Sequence, residues 1–266
     1  MELKFSKYHG NGNDFIVIDN RSGRFPAENG GLIRSLCNRH FGIGGDGLML
    51  LEVREGYDFH MRYFNSDGRE ATMCGNGGRC LVHFANRLGL TGQDAHFSGI
   101  DGPHHARIGE KELIHLRMQD VSGIDKDGNA FVLNTGSPHY VCFVTDPDKY
   151  DVVAEGRKIR YNGNFGERGI NVNFVGHDDK AIRVRTYERG VENETLSCGT
   201  GSVAAAICSR IDSDLPAHTV EVRTPGGSLE VSFRRKDQSH YTDIWLTGPA
   251  KHVFDGMTDS GSLRAW

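Results

Sequence analysis

One short motif occurs twice, and it constrains the fold more than any other feature of the chain. Glu70-Ala71-Thr72-Met73-Cys74-Gly75-Asn76-Gly77-Gly78 aligns with Glu194-Thr195-Leu196-Ser197-Cys198-Gly199-Thr200-Gly201-Ser202, sharing Glu-x-x-x-Cys-Gly-x-Gly. The offset, 198 − 74 = 124 positions, is close to half of the 266 residues. Each copy follows a strand-like pair (Tyr63-Phe64, Thr186-Tyr187) and precedes a helical pattern. Repetition in the same context implies two related halves, each presenting one cysteine where a strand turns into a helix.

Around the repeats, short alternating stretches dominate. Phe59, Met61 and Tyr63 share a face, as do Ile114, Leu116 and Met118, then Ile182, Val184 and Thr186, then Leu229, Val231 and Phe233. These read as strands of period two, bounded by Gly, Asp and Asn turns. Helical periodicity is rarer. Leu32, Ile33, Leu36, Cys37 and Phe41 fall on one face of a helix over 32–41. Two more helices follow Gly77 and Gly201, and the second, over 202–208, is apolar nearly all round, as a helix enclosed by sheet would be. The fold class is therefore α+β, mixed, with strands in the majority. The polar stretch 119–128 is a natural connector between halves.

Composition excludes several function classes. A net charge of −4 without a basic run offers nothing to nucleic acid. No run approaches ~18 apolar residues, so no membrane span is expected. The first seven residues lack the apolar stretch of a secretory signal. Glycine, 35 residues, is about twice its usual share and argues for many tight turns and close backbone approaches.

The six cysteines divide by context. Without a secretory signal they point to a reducing compartment. No Cys-x-x-Cys and no His-x-x-x-His is present, so a zinc site is not expected. Cys37, Cys80, Cys142 and Cys208 lie in apolar or helical patterns and read as small buried hydrophobes. Cys74 and Cys198 sit beside glycines at helix starts, where unpaired N–H groups and the helix dipole stabilise anions. Cysteine also fits any tight turn, but the duplication favours a functional role. Two equivalent cysteines, one thiolate and one thiol, supply the base and the acid for proton exchange at a stereocentre. The flanking Gly75-Asn76 and Gly199-Thr200 could cradle a carboxylate with backbone N–H groups as charge spreads onto it. That chemistry requires neither metal nor organic cofactor.

Two glycine-rich segments are decoys. Gly42-Ile43-Gly44-Gly45-Asp46-Gly47 satisfies G-x-G-x-x-G, but it follows a helix and precedes a strand, the reverse of a dinucleotide site. His9-Gly10-Asn11-Gly12-Asn13-Asp14-Phe15 lacks the Gly-Lys-Ser/Thr ending of a phosphate loop and reads as a turn approaching a site.

Taken together, these segments resemble the diaminopimelate epimerase family. The most specific pieces are Tyr63-Phe64-Asn65-Ser66-Asp67-Gly68, Met73 to Arg79, Tyr187-Glu188-Arg189-Gly190, and Cys198-Gly199-Thr200-Gly201; the similarity runs on to Gly248-Pro249-Ala250 and Val253-Phe254-Asp255-Gly256. The resemblance implies two pseudo-symmetric domains, each a mixed sheet or barrel wrapped round a central helix, with the site between them. The expected division is 1–118, with a tail from about 249 returning to it, and 119–248. It further implies a cytoplasmic, often homodimeric isomerase that interconverts LL- and meso-diaminopimelate without pyridoxal phosphate, in lysine and cell-wall precursor synthesis. By position, Cys74 and Cys198 match the acid/base pair, and Gly75, Asn76, Gly199 and Thr200 the donors to the reacting carboxylate. Asn13, Asn65, Asn171, Glu188 and Arg189 match residues that hold the substrate, chiefly its far end, and His139 matches a histidine near the site. Two positions depart from the common pattern. Gly47 stands where many members carry Gln, and Ser137 where many carry Asn, which changes far-end recognition but not the chemistry.

Three other readings compete. A proline or hydroxyproline racemase of the same superfamily would usually carry His where Asn76 stands. A dithiol redox protein or a non-catalytic amino-acid binder would leave the matched anion cradles unexplained.

Overall fold

A computed structural model describes residues 2–167, 169–178, 181–211, 216–259 and 261. The chain divides into two compact units: the described residues of 1–116 and 249–266 form the first, and those of 117–248 the second.

The first unit opens with a hairpin that its sequence dictates. β1 (Glu2–Gly10) and β2 (Asn13–Asp19) pair antiparallel across Asn11 and Gly12, whose φ angles are 52° and 81°. A two-residue turn of this kind needs positive φ at both positions, and Asn-Gly adopts it at least cost. Next come α1 (Gly30–Cys37), β3 (Gly47–Glu52), β4 (Phe59–Asn65), β5 (Glu70–Ala71), α2 (Gly75–Arg87), β6 (Asp94–Gly99), β7 (Gly102–Ile108) and β8 (Leu113–Arg117). The last strand of the chain, β19 (Lys251–Asp259), pairs with β1. The strand order is β19-β1-β2-β3-β4-β6-β7-β8, antiparallel except where β2 meets β3 and β4 meets β6. Parallel neighbours need a crossover, and α1 and α2 provide the two.

Each face of this sheet receives one helix. Ile16, Ile18, Leu48, Leu50 and Phe64 pack with Ile33, Leu36 and Cys37 of α1. The opposite face takes α2, where Gly77 lets the backbone close onto Met49 and Phe15; a Cβ there would run into Met49.

The helix expected over 32–41 is shorter than its apolar pattern. Asn38 is extended, and its Oδ1 accepts the N–H groups of His40 and Phe41 at 2.9 and 3.0 Å. The N–H groups of Ile43, Gly44 and Gly45 return to the carbonyls of Leu36 and Cys37. A loop therefore satisfies the last carbonyls of α1 in place of another helical turn. Phe41, expected on the buried face, is 61% exposed.

The second unit repeats the plan with β9 (Val121–Ser122), β10 (Ile124–Asp127), β11 (Ala130–Asn134), β12 (Pro138–Phe143), α3 (Val152–Arg160), β13 (Asn171–Asp178) and β14 (Ala181–Glu188). It continues with β15 (Asn193–Thr195), α4 (Gly199–Cys208), β16 (Ala217–Thr224), β17 (Gly227–Arg235) and β18 (His240–Pro249). Its order is β10-β11-β12-β13-β14-β16-β17-β18-β9, with parallel joins between β12 and β13 and between β14 and β16, crossed by α3 and α4. Nine of the ten residues of α4 are buried, all but Thr200. α3 was not evident in the sequence. Asp151 caps it, accepting the N–H of Ala154 at 3.0 Å, and it packs Val152 against Ile170, Val172, Phe174 and Tyr187. The polar stretch 119–128, read as a connector, contains β9 and β10.

Candidate active site

Cys74 and Cys198 occupy the same local geometry, one in each unit. Each is the N-cap residue of its helix, extended at φ −93°, ψ 126° and φ −117°, ψ 113° respectively, and neither side chain caps the helix. Their carbonyls accept the first helical bonds, from Gly78 at 2.7 Å and Ser202 at 2.9 Å. The N–H groups of residues 75–77 and 199–201 precede those bonds and so have no partner within the helix. In α4 the absence of a side chain at 201 is obligatory. A Cβ there would collide with Asn173 Oδ1 and lie 3.3 Å from Cys198 Sγ.

The glutamate of the repeated motif has a mechanical task. Glu70 receives Arg62 Nε at 2.9 Å and Nη2 at 2.8 Å; Glu194 receives Arg185 Nε and Nη2, both at 2.6 Å. Each two-pronged pair ties a short strand, β5 or β15, to the long strand beside it, four residues before the cysteine. Arg62 holds the Glu70 carboxyl below its ordinary range.

In the first unit, hydrogen bonds join Asn13, Cys74 and Asn76. Asp46 can only accept, so it faces the amide nitrogen of Asn13, at 2.6 Å. That leaves Asn13 Oδ1 to accept from Cys74 Sγ at 3.6 Å and from Asn76 Nδ2 at 3.4 Å. Below them lies Arg79, fully buried, which donates to Gly75 O (3.3 Å), Asn76 Oδ1 (2.9 Å) and Asn11 Oδ1 (3.0 Å). Burial lowers Arg79 to about 10, so its charge persists at neutral pH beneath the helix end. Gly47 and Asn65 pair with each other across β3 and β4.

In the second unit, a chain of bonds runs outward from Cys198. Its sulfur lies 3.6 Å from Thr200 Oγ1, which lies 2.9 Å from His139 Nε2. His139 Nδ1 accepts from Asn173 Nδ2 at 3.1 Å, which places the ring proton on Nε2, aimed at Thr200. Thr200 can then turn its own hydrogen to the sulfur. Burial, followed by the charge of Arg189, drives His139 down to about 3, so the ring is neutral. Asn173 also receives the Thr186 hydroxyl at 2.9 Å. Beside this chain, Asn171 donates to Ser137 Oγ at 2.8 Å and accepts the backbone N–H of Arg189 at 2.9 Å. Arg189 Nη2 lies 3.5 Å from Ser137 Oγ, and Glu188 accepts the Thr195 hydroxyl at 2.8 Å.

The other cysteines have different surroundings. Burial pushes Cys37 and Cys80 up to about 12 and raises Cys142 and Cys208 as well. Cys37, Cys80 and Cys208 are buried, while Cys142 is half-buried. Among the described residues, no group of three or more His, Cys, Asp or Glu is placed to hold a metal ion, and no helix is long and apolar enough to cross a membrane.

Three supporting residues escaped the sequence reading. Asn173 lies two positions from Asn171 on the same strand face, which alternation could have flagged. Arg79 aligns with Val203 in the second copy, and that mismatch was its signal. Asp46 lies inside a segment considered only as a nucleotide motif.

The diaminopimelate epimerase family model matches residues 5–117 and 131–253. A diaminopimelate epimerase of Flavobacterium psychrophilum is 49% identical over 254 residues, covering 95% of this chain and 99% of the relative. One of Chlorobaculum tepidum is 42% identical over 257 residues, covering 93% and 98%. Among solved structures, a Bacillus anthracis phenazine biosynthesis protein of the PhzF family matches with a TM-score of 0.76 at 15% identity, over 97% of this chain and 99% of that one. A hydroxyproline epimerase from Agrobacterium vitis matches at 0.70 and 14%, over 96% and 92%. At such identities the structural likeness concerns the fold alone.

Proposed function

The chain belongs to the diaminopimelate epimerase family, and from that membership we propose that it interconverts LL- and meso-2,6-diaminopimelate by exchanging the proton on one α-carbon. One thiolate takes the α-proton on one side of the carbon, and the opposing thiol delivers its own proton on the other. The product has the same composition and inverted configuration, its α-hydrogen now the one the second thiol supplied, and the two sulfurs exchange protonation states. Reversal uses the same pair in exchanged roles. The observation that carries this reading is the matched setting of Cys74 and Cys198, each the N-cap residue of a helix whose first N–H groups lack helical partners.

Those N–H groups, at Gly75 and Asn76 and at Gly199 and Thr200, bind the reacting carboxylate. They stabilise the negative charge that spreads onto it as the α-proton departs. Arg79 adds a fixed positive charge beneath the first helix end, and Thr200 offers a hydroxyl to the second sulfur. Asn13, Asn65, Asn171, Glu188 and Arg189 hold the remainder of the substrate. Ser137 takes part through the hydroxyl that joins Asn171 and Arg189. His139, neutral, positions Thr200 and does not itself exchange protons with substrate.

The deciding experiment is exchange in D₂O. Deuterium is expected to enter the α-carbon of diaminopimelate with the wild-type protein, and both Cys74→Ala and Cys198→Ala are expected to abolish racemisation. A wild-type protein that exchanges proline or hydroxyproline instead would move the assignment to the racemases that share the fold. The same reading places the enzyme in the cytoplasm, in lysine and cell-wall precursor synthesis, as a homodimer. Exposed Val253, Phe254 and Met257 on β19 are consistent with a covered edge, and sedimentation at micromolar protein would test it.

A further inference from the structure

We propose that Tyr63 is a specificity-determining substrate contact, its phenol hydroxyl standing in for the side chain that Gly47 lacks. The proposal rests on the epimerase reading above and deepens it.

The geometry comes from three neighbouring strands. Phe15, Gly47 and Asn65 form one row across β2, β3 and β4, and Val17, Met49 and Tyr63 form the next. Side chains at alternate positions point to one face, so Asn13, Gly47, Asn65 and Tyr63 all project to the side that receives α2. Along that face Gly47 contributes no atoms of its own. The ring of Tyr63 leans out of its own row to cover the glycine. A Cβ built on Gly47 would lie 2.6 Å from Tyr63 Cε2 and 3.2 Å from the phenol oxygen. The edge-on contact of the ring with Phe15, centroids 6.1 Å apart at 79°, records the same lean. The Phe64 carbonyl, 2.6 Å from the same Cβ position, also keeps residue 47 a glycine. Tyr63 keeps 9% of its surface accessible, whereas Phe15 and Met49 beside it keep none.

The polar atom presented beside Asn65 is therefore a phenol hydroxyl. A hydroxyl can donate to a carboxylate or accept from an ammonium group. With the reacting carboxylate assigned to the helix ends, the hydroxyl reads the far end of the substrate, which carries one of each. A substrate lacking the matching group forgoes that hydrogen bond, so a truncated analogue is held less tightly than diaminopimelate.

The test uses Tyr63→Phe, which removes one oxygen and keeps the ring over Gly47. Exchange of diaminopimelate in D₂O is measured for both proteins, with Ki for two truncated analogues: 2-aminopimelate, lacking the far ammonium, and lysine, lacking the far carboxylate. Tyr63→Phe is expected to raise KM for diaminopimelate roughly tenfold with kcat within about twofold, the signature of a contact equally strong in ground and transition states. For one analogue the wild type and the variant should show the same Ki, which identifies the group the hydroxyl touches. An unchanged KM, a fall in kcat alone, or a Ki difference that persists with both analogues overturns the proposal and leaves the epimerase reading standing. A wild-type protein that fails to exchange diaminopimelate overturns that reading and this contact with it.

Discussion

Thr200 joins Cys198, two positions before it, to His139 and Thr135, which lie 61 and 65 positions upstream. Its hydroxyl lies between Cys198 and His139, and its carbonyl accepts the Thr135 hydroxyl at 2.9 Å. Thr200→Val keeps the shape and removes the hydroxyl, so kcat for exchange is expected to fall about tenfold with the fold intact. Wild-type kcat in that variant would remove Thr200 from the proton chemistry. His139 makes a thermodynamic prediction. Its folded value of about 3 lies below the ~6.5 of an unfolded histidine, so between them the unfolded chain binds the extra proton. Its contribution is complete above ~6.5 and is lost as pH falls, at up to ~1.4 kcal/mol per unit. Carboxylates move in the same direction, so the readout is a difference. From pH 7 to 5.5 the Tm of wild type should drop further than that of His139→Gln, and parallel curves would refute it. At this scale the repeat exposed Cys74 and Cys198 because their neighbours were duplicated. Arg79 and Asn173 left only fainter marks, a mismatch between the copies and a position alternating with Asn171, since a buried charge or amide declares its partners only after the chain has folded.

Among elements, the two helices behind the cysteines depend on glycine for closeness of approach. Gly201→Ala would push a methyl group into Asn173 and against Cys198, at an expected cost of ~1–3 kcal/mol in stability, with a larger loss of exchange activity than of fold. Denaturant midpoints and exchange rates measured together would show it; an alanine variant with wild-type values of both would mean that the turn has room. The Arg185–Glu194 pair makes a milder prediction. Glu194→Gln should cost about 1 kcal/mol, because the pair is only partly shielded from water, and should lower kcat by loosening the turn that carries Cys198. Equal kcat in that variant would reduce Glu194 to a surface ion pair. Legibility here followed periodicity. The alternating strands and the all-apolar α4 were plain, because burial imposes their pattern directly. The end of α1 was not, because Asn38 and a returning loop stop the helix while the apolar spacing continues to Phe41. α3 was hidden for the opposite reason: it packs mainly through Val152 and Gly156, too few apolar positions to show a period.

The whole molecule is discontinuous in sequence, since β19 belongs to the first unit and completes its sheet beside β1. A chain truncated after Gly248 would leave β1 an unpaired edge and uncover Phe5, which rests against Phe254 and Gly256, and it is expected to aggregate or lose the first unit. A truncated protein with a wild-type melting profile would refute that. Substrate should stabilise the intact protein by about 2.7 kcal/mol at one hundred times Kd, a shift readable as Tm. The sequence by itself determined the duplicated plan, the two cysteine turns and the family, because local pattern and repetition survive in one dimension. Only the tertiary structure decided which residues support those turns, from Arg79 under one helix end to the Thr200–His139–Asn173 chain at the other and the Tyr63 ring over Gly47. Contacts such as Thr200–His139 and His139–Asn173 join residues 61 and 34 positions apart, and their energetics depend on burial and distance, neither of which is written in the order of the residues.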